Sequence, residues 1–194
     1  MKSEPAPEKR ELRRKLRALL MEMTEGEVRT ASFKACDLLR GQAIWKKARS
    51  VLFYSALPGE INLSTLLEDG LQAGKAIALP RFISDTGAYD AFQIRDVAGD
   101  CAPGKFGITE PSGLCEAFPL KQLDLVLVPG VAFDATGLRL GRGQGFYDRL
   151  LAEIEGVKCG VAFDRQIVGR VPHEGHDVRM NYILTPTRWL EIAV

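Results

Sequence analysis

Short apolar runs typical of buried strands alternate along this chain with stretches in which apolar residues recur at helical spacing. The pattern predicts strands at 50–54, 76–81, 90–94, 123–128, 157–163, 166–171 and 182–185. It predicts helices at 8–23, 24–39, 63–73 and 146–154. Such alternation is typical of a three-layer α/β/α fold with a largely parallel sheet. We therefore predict a single α/β domain over residues 1–194, with a loose tail at 1–7.

Local signals predict where some of these elements begin and end. Thr24 and Glu27 form the sequence pattern of a capping box and predict the start of the second helix. Gly41 is predicted to close that helix as its C-cap. Pro80 is predicted to end the strand that begins at residue 76, which leaves Arg81 at the exit. Arg81 is then either an exposed arginine or one that faces a binding site.

Glycines alternate with arginines between residues 137 and 145, in a loop that connects a predicted strand to a predicted helix. Alternate glycines let several backbone N–H groups point at one place, and Arg139 and Arg142 add positive charge. Such a loop suits a polyphosphate, beside which Asp148 is placed to hold a cation. Two bland alternatives stay open: a flexible strand-to-helix connection, and a solvated Asp148 that pairs with an arginine. The spacing matches neither the P-loop nor the dinucleotide fingerprint.

Composition narrows the choice of partners and metals. The net charge is +1, so no overall field predicts binding to nucleic acid or membranes. The sequence has neither an apolar run of membrane-spanning length nor a signal-peptide core, which predicts a cytoplasmic protein. The 4 cysteines are scattered, and we expect reduced thiols rather than disulfides. With only 2 histidines, a carboxylate-bound Mg²⁺ is favoured over a histidine-rich zinc site.

The first predicted helix carries basic residues on two different faces. Lys9 and Arg13 lie at the edge of the apolar stripe and are expected to turn toward the protein body, whereas Arg10 and Arg14 point outward. The basic helix leaves open an RNA-associated protein. The glycine–arginine loop by itself also leaves open a sugar-phosphate isomerase-like enzyme that binds a monophosphate.

Residues 129–134 (P-G-V-A-F-D) and 137–148 (G-L-R-L-G-R-G-Q-G-F-Y-D) together resemble the signature of the 5-formyltetrahydrofolate cyclo-ligases, also called methenyltetrahydrofolate synthetases. Further similar segments occur in the order of that family, at 9–13 (K-R-E-L-R), 58–60 (P-G-E), 107–111 (G-I-T-E-P) and 176–177 (H-D). Two positions depart from the family: many members have lysine at Gln144, and Asn181 replaces the usual aspartate.

The resemblance implies an ATP- and Mg²⁺-dependent ligase that closes 5-formyltetrahydrofolate to 5,10-methenyltetrahydrofolate and releases ADP and phosphate. The implied ATP-binding residues are Lys9, Arg13, Arg139, Gly141, Arg142, Gly143, Gln144, Gly145, Phe146 and Tyr147. The implied folate-binding residues are Ser55, Glu60, Arg142, Gly143, Gln144, Gly145 and Phe146, with Phe106 as a candidate aromatic partner of the pterin.

The resemblance implies that Arg142 and Tyr147 are catalytic residues and that Asp148 and Asp177 bind Mg²⁺. The alternative for Asp177 is a surface pair with Arg179. ATP and 5-formyltetrahydrofolate are the expected partners, with no nucleic acid or membrane, and the chain is expected to be a monomer.

Overall fold

A computed structural model of the chain describes residues 7–104, 107–173, 175 and 177–193. Two residues of the sequence interpretation, Phe106 and His176, lie outside the described residues. The described helices are α1 (Pro7–Met21), α2 (Glu25–Gly41), α3 (Ala43–Lys47), α4 (Ser64–Gln72), α5 (Val97–Asp100) and α6 (Phe146–Ala152). Among them, none combines the length and the apolar character that crossing a bilayer requires.

The described strands are β1 (Ser50–Leu52), β2 (Ala76–Ile83), β3 (Ala88–Ile94), β4 (Cys101–Pro103), β5 (Thr109–Pro111), β6 (Leu125–Pro129), β7 (Ala132–Asp134), β8 (Arg139–Leu140), β9 (Val157–Val161), β10 (Ile167–Val168), β11 (Tyr182–Leu184) and β12 (Trp189–Glu191). Two single 3₁₀ turns, Leu120–Gln122 and Asp164–Gln166, also occur among the described residues.

Seven strands form the main sheet, in the order β12-β11-β9-β6-β1-β2-β3. The five central strands, β11, β9, β6, β1 and β2, pair in parallel, and only the edge strands β3 and β12 run antiparallel. The predicted largely parallel sheet is therefore confirmed. Because β1 and β6 are parallel neighbours, the loops that follow them leave from the same edge of the sheet, where ligands bind in open α/β folds.

Helices cover both faces of this sheet. Along β6, Leu125 and Leu127 pack into a core formed with residues of α2, α3 and α4. Val126 and Val128 point to the opposite face and pack into a second core with residues of α6. Strand side chains alternate between faces, so a fully apolar strand indicates burial on both sides. The three-layer prediction is thereby confirmed.

A small second sheet, β10-β7-β8, holds α1 close to the glycine-rich loop. Leu16 of α1 is buried with Val131, Leu140 and Val171 in a third apolar cluster. Helix α1 begins at Pro7, which we had predicted to belong to the tail. The first turn of a helix does not use its N–H groups internally, so proline is tolerated there.

Two predicted element ends are wrong. Helix α2 runs through Gly41, and its C-cap is Gln42, which has an extended backbone and donates its N–H to the carbonyl of Leu39. Strand β2 continues past Pro80 to Ile83. The last β2 residue that pairs with β1 is Ala78. Alternate residues of a strand point their N–H groups to the same side, so an N–H at position 80 would point, like that of Ala78, toward β1. Because β1 has already ended there, proline at this position removes no hydrogen bond between the two strands.

Arg81 therefore lies inside β2 rather than at its exit. Its guanidinium donates a hydrogen bond to the carbonyl of Ser112 and lies over the ring of Phe92. Phe92 belongs to β3, the antiparallel neighbour of β2. Arg81 does not line the cavity described below.

Candidate active site

The glycine-rich loop presents unpaired backbone donors. Gly143 and Gly145 have φ values of 103° and 64°, in the left-handed region that only glycine adopts at little cost. Within the described part of the chain, the N–H groups of Gly141, Gly143 and Gly145 donate no hydrogen bond. Helix α6 is only 7 residues long, so the loop amides and arginines, rather than a long helix dipole, supply the positive potential.

Arg13 of α1 reaches this loop, as its place beside the apolar stripe predicts. Its Nε donates to the carbonyl of Gly141 at 2.8 Å. Burial, and then the neighbouring Arg17, lower the pKa of Arg13, while Asp148 and Asp177 act in the opposite direction. The two candidate metal ligands therefore both influence the pKa of this guanidinium.

Lys9, one turn before Arg13, is also turned inward. Its Nζ lies 3.3 Å from Oδ2 of Asp177, and both side chains are largely buried. Asp177 thus pairs with Lys9 and not with Arg179, which donates instead to the carbonyl of Thr136. The alternative of an Asp177–Arg179 surface pair is wrong.

Arg139 and Asp148 form an ion pair in which the guanidinium is almost fully buried. Their closest N–O distance is 2.6 Å, and their side chains are 3% and 23% exposed. The carbonyl of Pro129 accepts a further hydrogen bond from Arg139, but Nε of Arg139 is buried and has no partner among the described residues. A buried donor without an acceptor is costly, and it points to a missing acceptor such as a phosphate oxygen.

Arg142, in the loop between β8 and α6, pairs with Glu60, which lies in the loop that follows β1. Oε1 of Glu60 accepts hydrogen bonds from Nε and NH2 of Arg142 at 3.1 and 2.7 Å. The other oxygen of Glu60 accepts from the N–H of Leu57 at 3.0 Å. A residue expected to bind ATP therefore contacts one expected to bind folate.

Tyr147 and Phe146 present aromatic surface at the start of α6. Burial, and secondarily the Glu60 carboxylate, raises the pKa of Tyr147 well above its ordinary value, so its hydroxyl is protonated at neutral pH. Arg139 lies 5.7 Å from the centre of the Tyr147 ring. Phe146 packs edge-to-face against Phe82 and Tyr89, with ring centres 5.5 and 5.3 Å apart.

These side chains converge on one cavity of about 410 Å³. The predicted site residues that line it are Ser55, Glu60, Arg139, Gly141, Arg142, Gln144, Gly145, Phe146, Tyr147 and Asp148. Ser55 is held by a 2.5 Å hydrogen bond to the carbonyl of Thr109. Four predicted site residues do not line this cavity: Lys9, Arg13, Gly143 and Asp177. Arg13 is connected to it through the hydrogen bond that it donates to the carbonyl of Gly141, which does line the cavity. Glu60 and Arg142 also border a larger groove of about 870 Å³ between α1 and α2.

The sequence interpretation did not include three further residues of the cavity wall: Tyr54, Tyr89 and Glu110. Tyr54 is buried, and its hydroxyl donates to the carbonyl of Ile61 at 2.6 Å. Burial and then Glu110 raise the pKa of Tyr89. The signal for Glu110 was present, because a charged residue stands between Thr109 and Pro111 in the segment that resembles the family.

The carboxylates present suit a metal that is shared with phosphates. Among the described residues, no group of three or more histidine, cysteine, aspartate or glutamate side chains forms a complete metal site. Asp148 and Asp177 supply two carboxylates, which pair with Arg139 of the loop strand and with Lys9 of α1. Mg²⁺ is commonly held by one or two carboxylates together with substrate phosphates, so this donor set fits it.

Comparison with known proteins agrees with this arrangement. A model of the 5-formyltetrahydrofolate cyclo-ligase family matches residues 5–186. The 5-formyltetrahydrofolate cyclo-ligase of Escherichia coli (strain K12) is 32% identical over 145 residues, which cover 73% of this chain and 80% of the relative. That of Mycolicibacterium smegmatis is 34% identical over 148 residues, covering 72% and 75%.

Solved structures are similar over nearly the whole chain. The 5,10-methenyltetrahydrofolate synthetase of Aquifex aeolicus, solved by NMR, superposes with a TM-score of 0.87 at 32% identity, covering 96% of this chain and 93% of that one. A synthetase from Mycoplasma pneumoniae shares the fold, with a TM-score of 0.74 at 21% identity over 92% and 98% of the chains. The family match and these relatives, on a fold that brings the signature residues to one cavity, show that this chain belongs to the 5-formyltetrahydrofolate cyclo-ligase family.

Proposed function

We propose that this chain closes 5-formyltetrahydrofolate to 5,10-methenyltetrahydrofolate in a reaction that uses ATP and Mg²⁺ and releases ADP and phosphate. The single observation that carries the proposal is that one cavity is lined by the glycine loop, the Arg139–Asp148 pair and the Glu60–Arg142 pair. Polyphosphate-binding and folate-binding groups are thereby neighbours, as direct transfer of a phosphoryl group between two bound substrates requires.

The chemistry explains why such a site needs so much positive charge. A formamide oxygen is a poor leaving group. In the proposed reaction it attacks the γ-phosphorus, and the bond from that phosphorus to ADP breaks. N10 then attacks the formyl carbon, the carbon–oxygen bond breaks, and phosphate leaves with the oxygen while N10 loses its proton. Both steps develop negative charge on phosphate oxygens, so the protein contributes chiefly positioning and charge neutralisation.

Charges along the loop are arranged for that task. Arg139 is buried with an unpartnered Nε, which favours a phosphate oxygen as its acceptor. Arg13 and Lys9 approach from α1, and the amides of Gly141, Gly143 and Gly145 supply neutral donors. In the Arg142–Glu60 pair, Arg142 is the more exposed residue. An incoming phosphate can therefore reach its guanidinium and compete with Glu60 for it.

Tyr147 and Ser55 supply neutral hydroxyl groups in the same cavity. A tyrosine hydroxyl is protonated at neutral pH, and burial, which raises the pKa of Tyr147, keeps it so; it can donate a hydrogen bond to the formyl or phosphate oxygen. Asp148 and Asp177 would hold Mg²⁺, which when bound neutralises phosphate charge. The cytoplasm as location and a monomeric state remain predictions, consistent with a soluble enzyme that acts on small molecules.

The direct test is the absorbance of 5,10-methenyltetrahydrofolate as it forms from 5-formyltetrahydrofolate. We expect turnover only when ATP and Mg²⁺ are both present, and one ADP per product. Turnover that needs no ATP, or no turnover by the folded chain, would overturn the proposal. Sugar phosphates serve as the control substrates, because a monophosphate-binding isomerase would convert them without nucleotide.

A further inference from the structure

A buried carboxylate in the cavity wall has no role so far. Glu110, on β5, lines the same cavity as Glu60, Phe146 and Tyr147, and it is only 6% exposed. Its Oε1 is fully buried and has no hydrogen-bond partner among the described residues. Its Oε2 accepts from the N–H of Phe82 at 3.4 Å, at the long end of the hydrogen-bond range, and the hydroxyl of Tyr89 also donates to the Glu110 carboxylate.

Arginines near Glu110 are committed to other acceptors. Arg139 pairs with Asp148, Arg142 pairs with Glu60, and Arg81 donates to the carbonyl of Ser112. The described part of the chain therefore contains no ion pair to Glu110. A buried carboxylate without a cation or a full set of donors is expensive, and one is retained where a ligand completes it.

Close packing holds this carboxylate in place. A Cβ added at Gly104 would lie 2.6 Å from the carboxyl group of Glu110, so only glycine admits it at this distance. The carbonyl of Ile108 accepts from the N–H of Gly104 at 2.7 Å, which fixes the backbone of Gly104 beside this carboxylate. On another side stands Tyr89, whose ring belongs to the aromatic cluster with Phe82 and Phe146.

Glu60 differs from Glu110 in how far it is satisfied. Both oxygens of Glu60 already accept hydrogen bonds, from Arg142 and from the N–H of Leu57. Glu110 has a vacant acceptor next to flat aromatic surface. A pterin offers complementary groups, because its 2-amino group and the adjacent ring N–H are two donors on one edge of a flat ring, and a carboxylate accepts such a pair well.

We infer that Glu110 accepts the N–H donors of the 2-amino-4-oxopyrimidine edge of the folate substrate and is a specificity-determining residue of this site. This rests on the proposed function, since it concerns how that substrate is recognised. Glu60 then lies toward the reacting end of the substrate, beside Arg142, and Glu110 lies toward the far end of the pterin.

The test is a binding cycle between Glu110→Gln and a substrate analogue that carries a methyl group in place of the 2-amino group. Binding of each ligand is measured at equilibrium without ATP. We expect the unmodified chain to prefer 5-formyltetrahydrofolate over the analogue by about tenfold or more, and Glu110→Gln to weaken binding of 5-formyltetrahydrofolate by about 10- to 100-fold. The same substitution should scarcely change the affinity for the analogue.

Two controls separate recognition from folding. Glu116→Gln removes a carboxylate that is 78% exposed, and it should leave both affinities unchanged. Without ligand, Glu110→Gln should melt at the same temperature as the unmodified chain or higher, because Oε1 of Glu110 has no partner to lose among the described residues.

An unchanged preference in Glu110→Gln, or an equal loss for both ligands, would overturn this inference and leave the proposed function standing. An unmodified chain that binds no 5-formyltetrahydrofolate would instead overturn the proposed function, and the inference with it.

Discussion

Asp148 carries two jobs at the residue scale, and they have different energetic consequences. Its carboxylate is the proposed magnesium ligand and also the partner of Arg139, whose side chain is 3% exposed. Removing one partner of a buried pair leaves an uncompensated charge, which is strongly destabilising. The variant that tests the metal role must therefore keep an acceptor for Arg139.

Asp148→Asn meets that requirement, because its amide oxygen can still accept from Arg139. We expect Mg²⁺-dependent turnover to fall by about 100-fold or more, since a neutral amide is a poor ligand for this ion. Asp148→Ala should lose turnover as well and in addition lower the free energy of unfolding by about 2 kcal/mol, less than for a fully buried pair because Asp148 is partly exposed. Initial rates against Mg²⁺ concentration, together with denaturant unfolding, measure both effects. Normal turnover by Asp148→Asn would remove this residue from the metal site.

Glu60 has a contact on the nucleotide side as well as one proposed on the folate side. Glu60→Gln keeps the hydrogen bond from Leu57 within reach but removes the charge that holds Arg142. We expect the KM for 5-formyltetrahydrofolate to rise by about tenfold, the size of a lost charged hydrogen bond, and the KM for ATP to change far less. Steady-state kinetics with each substrate varied in turn gives both values. A larger change for ATP would contradict the folate assignment.

Single residues could be predicted where a motif carries them and not where packing does. The loop from 137 to 148 identified Arg139, Arg142 and Asp148 because the resemblance is dense there. Tyr89 joins the site only because β3 pairs with β2 and brings its ring to Phe146. Such a partnership depends on register between strands, which no local pattern of this sequence encodes.

At the scale of elements, segments with a clear apolar pattern were predictable, and strands inside the glycine-rich signature were not. The strand that begins at 123 and the helix that begins at 146 follow from apolar runs and helical spacing. Strands β7 and β8 contain three and two residues and lie inside the segment that was interpreted as a motif, whereas β10 was predicted, but as a longer strand at 166–171. The prediction that Pro80 ends β2 was wrong because a proline interrupts a strand only where its N–H would have bonded to a neighbouring strand. Whether such a neighbour is present depends on the whole sheet and not on the local sequence.

The capping box of α2 gives a test at this scale. Thr24 accepts from the N–H of Glu27 at 3.2 Å, and the Glu27 side chain accepts from the N–H of Thr24 at 2.8 Å. Thr24→Ala removes the first bond, and we expect the free energy of unfolding to fall by about 1 kcal/mol. Thr30→Ala, in the same helix and exposed, is the matched control and should change stability by less than about half that amount. Urea unfolding followed by circular dichroism compares the two.

At the scale of the whole molecule, the site depends on which strands become neighbours. The segments after β1 and β6 leave the sheet from the same edge because these strands are adjacent and parallel. The hairpin of β7 and β8 then leads the second segment to Arg142, which pairs with Glu60. The small sheet then docks α1, through Leu16, where Arg13 and Lys9 reach the glycine loop. Sequence alone predicted the class of fold and the inward turn of these cations. The order of strands and the extra sheet are long-range pairings that only the folded chain reveals.

One of these long-range connections makes stability depend on pH. Asp134, at the end of β7, is buried, and its carboxylate accepts from the N–H and hydroxyl of Thr136 and from the N–H groups of Leu138 and Val171. Burial alone would raise the pKa of Asp134, but these hydrogen bonds outweigh it and lower the pKa below its ordinary value. The carboxylate thereby ties the small sheet to the segment that leads to Asp177.

A depressed pKa in the folded state has a definite sign. The unfolded chain binds the proton first, at a pH near about 4, so the stabilisation from Asp134 is fully present above that pH and is lost as pH falls through the folded-state pKa. Asp164 also has a lowered pKa, because hydrogen bonds from Thr187, Thr185 and Arg188 outweigh its burial, so its stabilisation is likewise lost at low pH.

We therefore expect the melting temperature to fall steeply below about pH 4. In Asp134→Asn it should be lower at pH 7 but fall less between pH 5 and pH 3, as thermal melts across that range would show. If the melting temperature of Asp134→Asn fell as steeply with pH as that of the unmodified chain, other carboxylates would be responsible for the loss of stability in acid, and not the hydrogen bond between Asp134 and Val171.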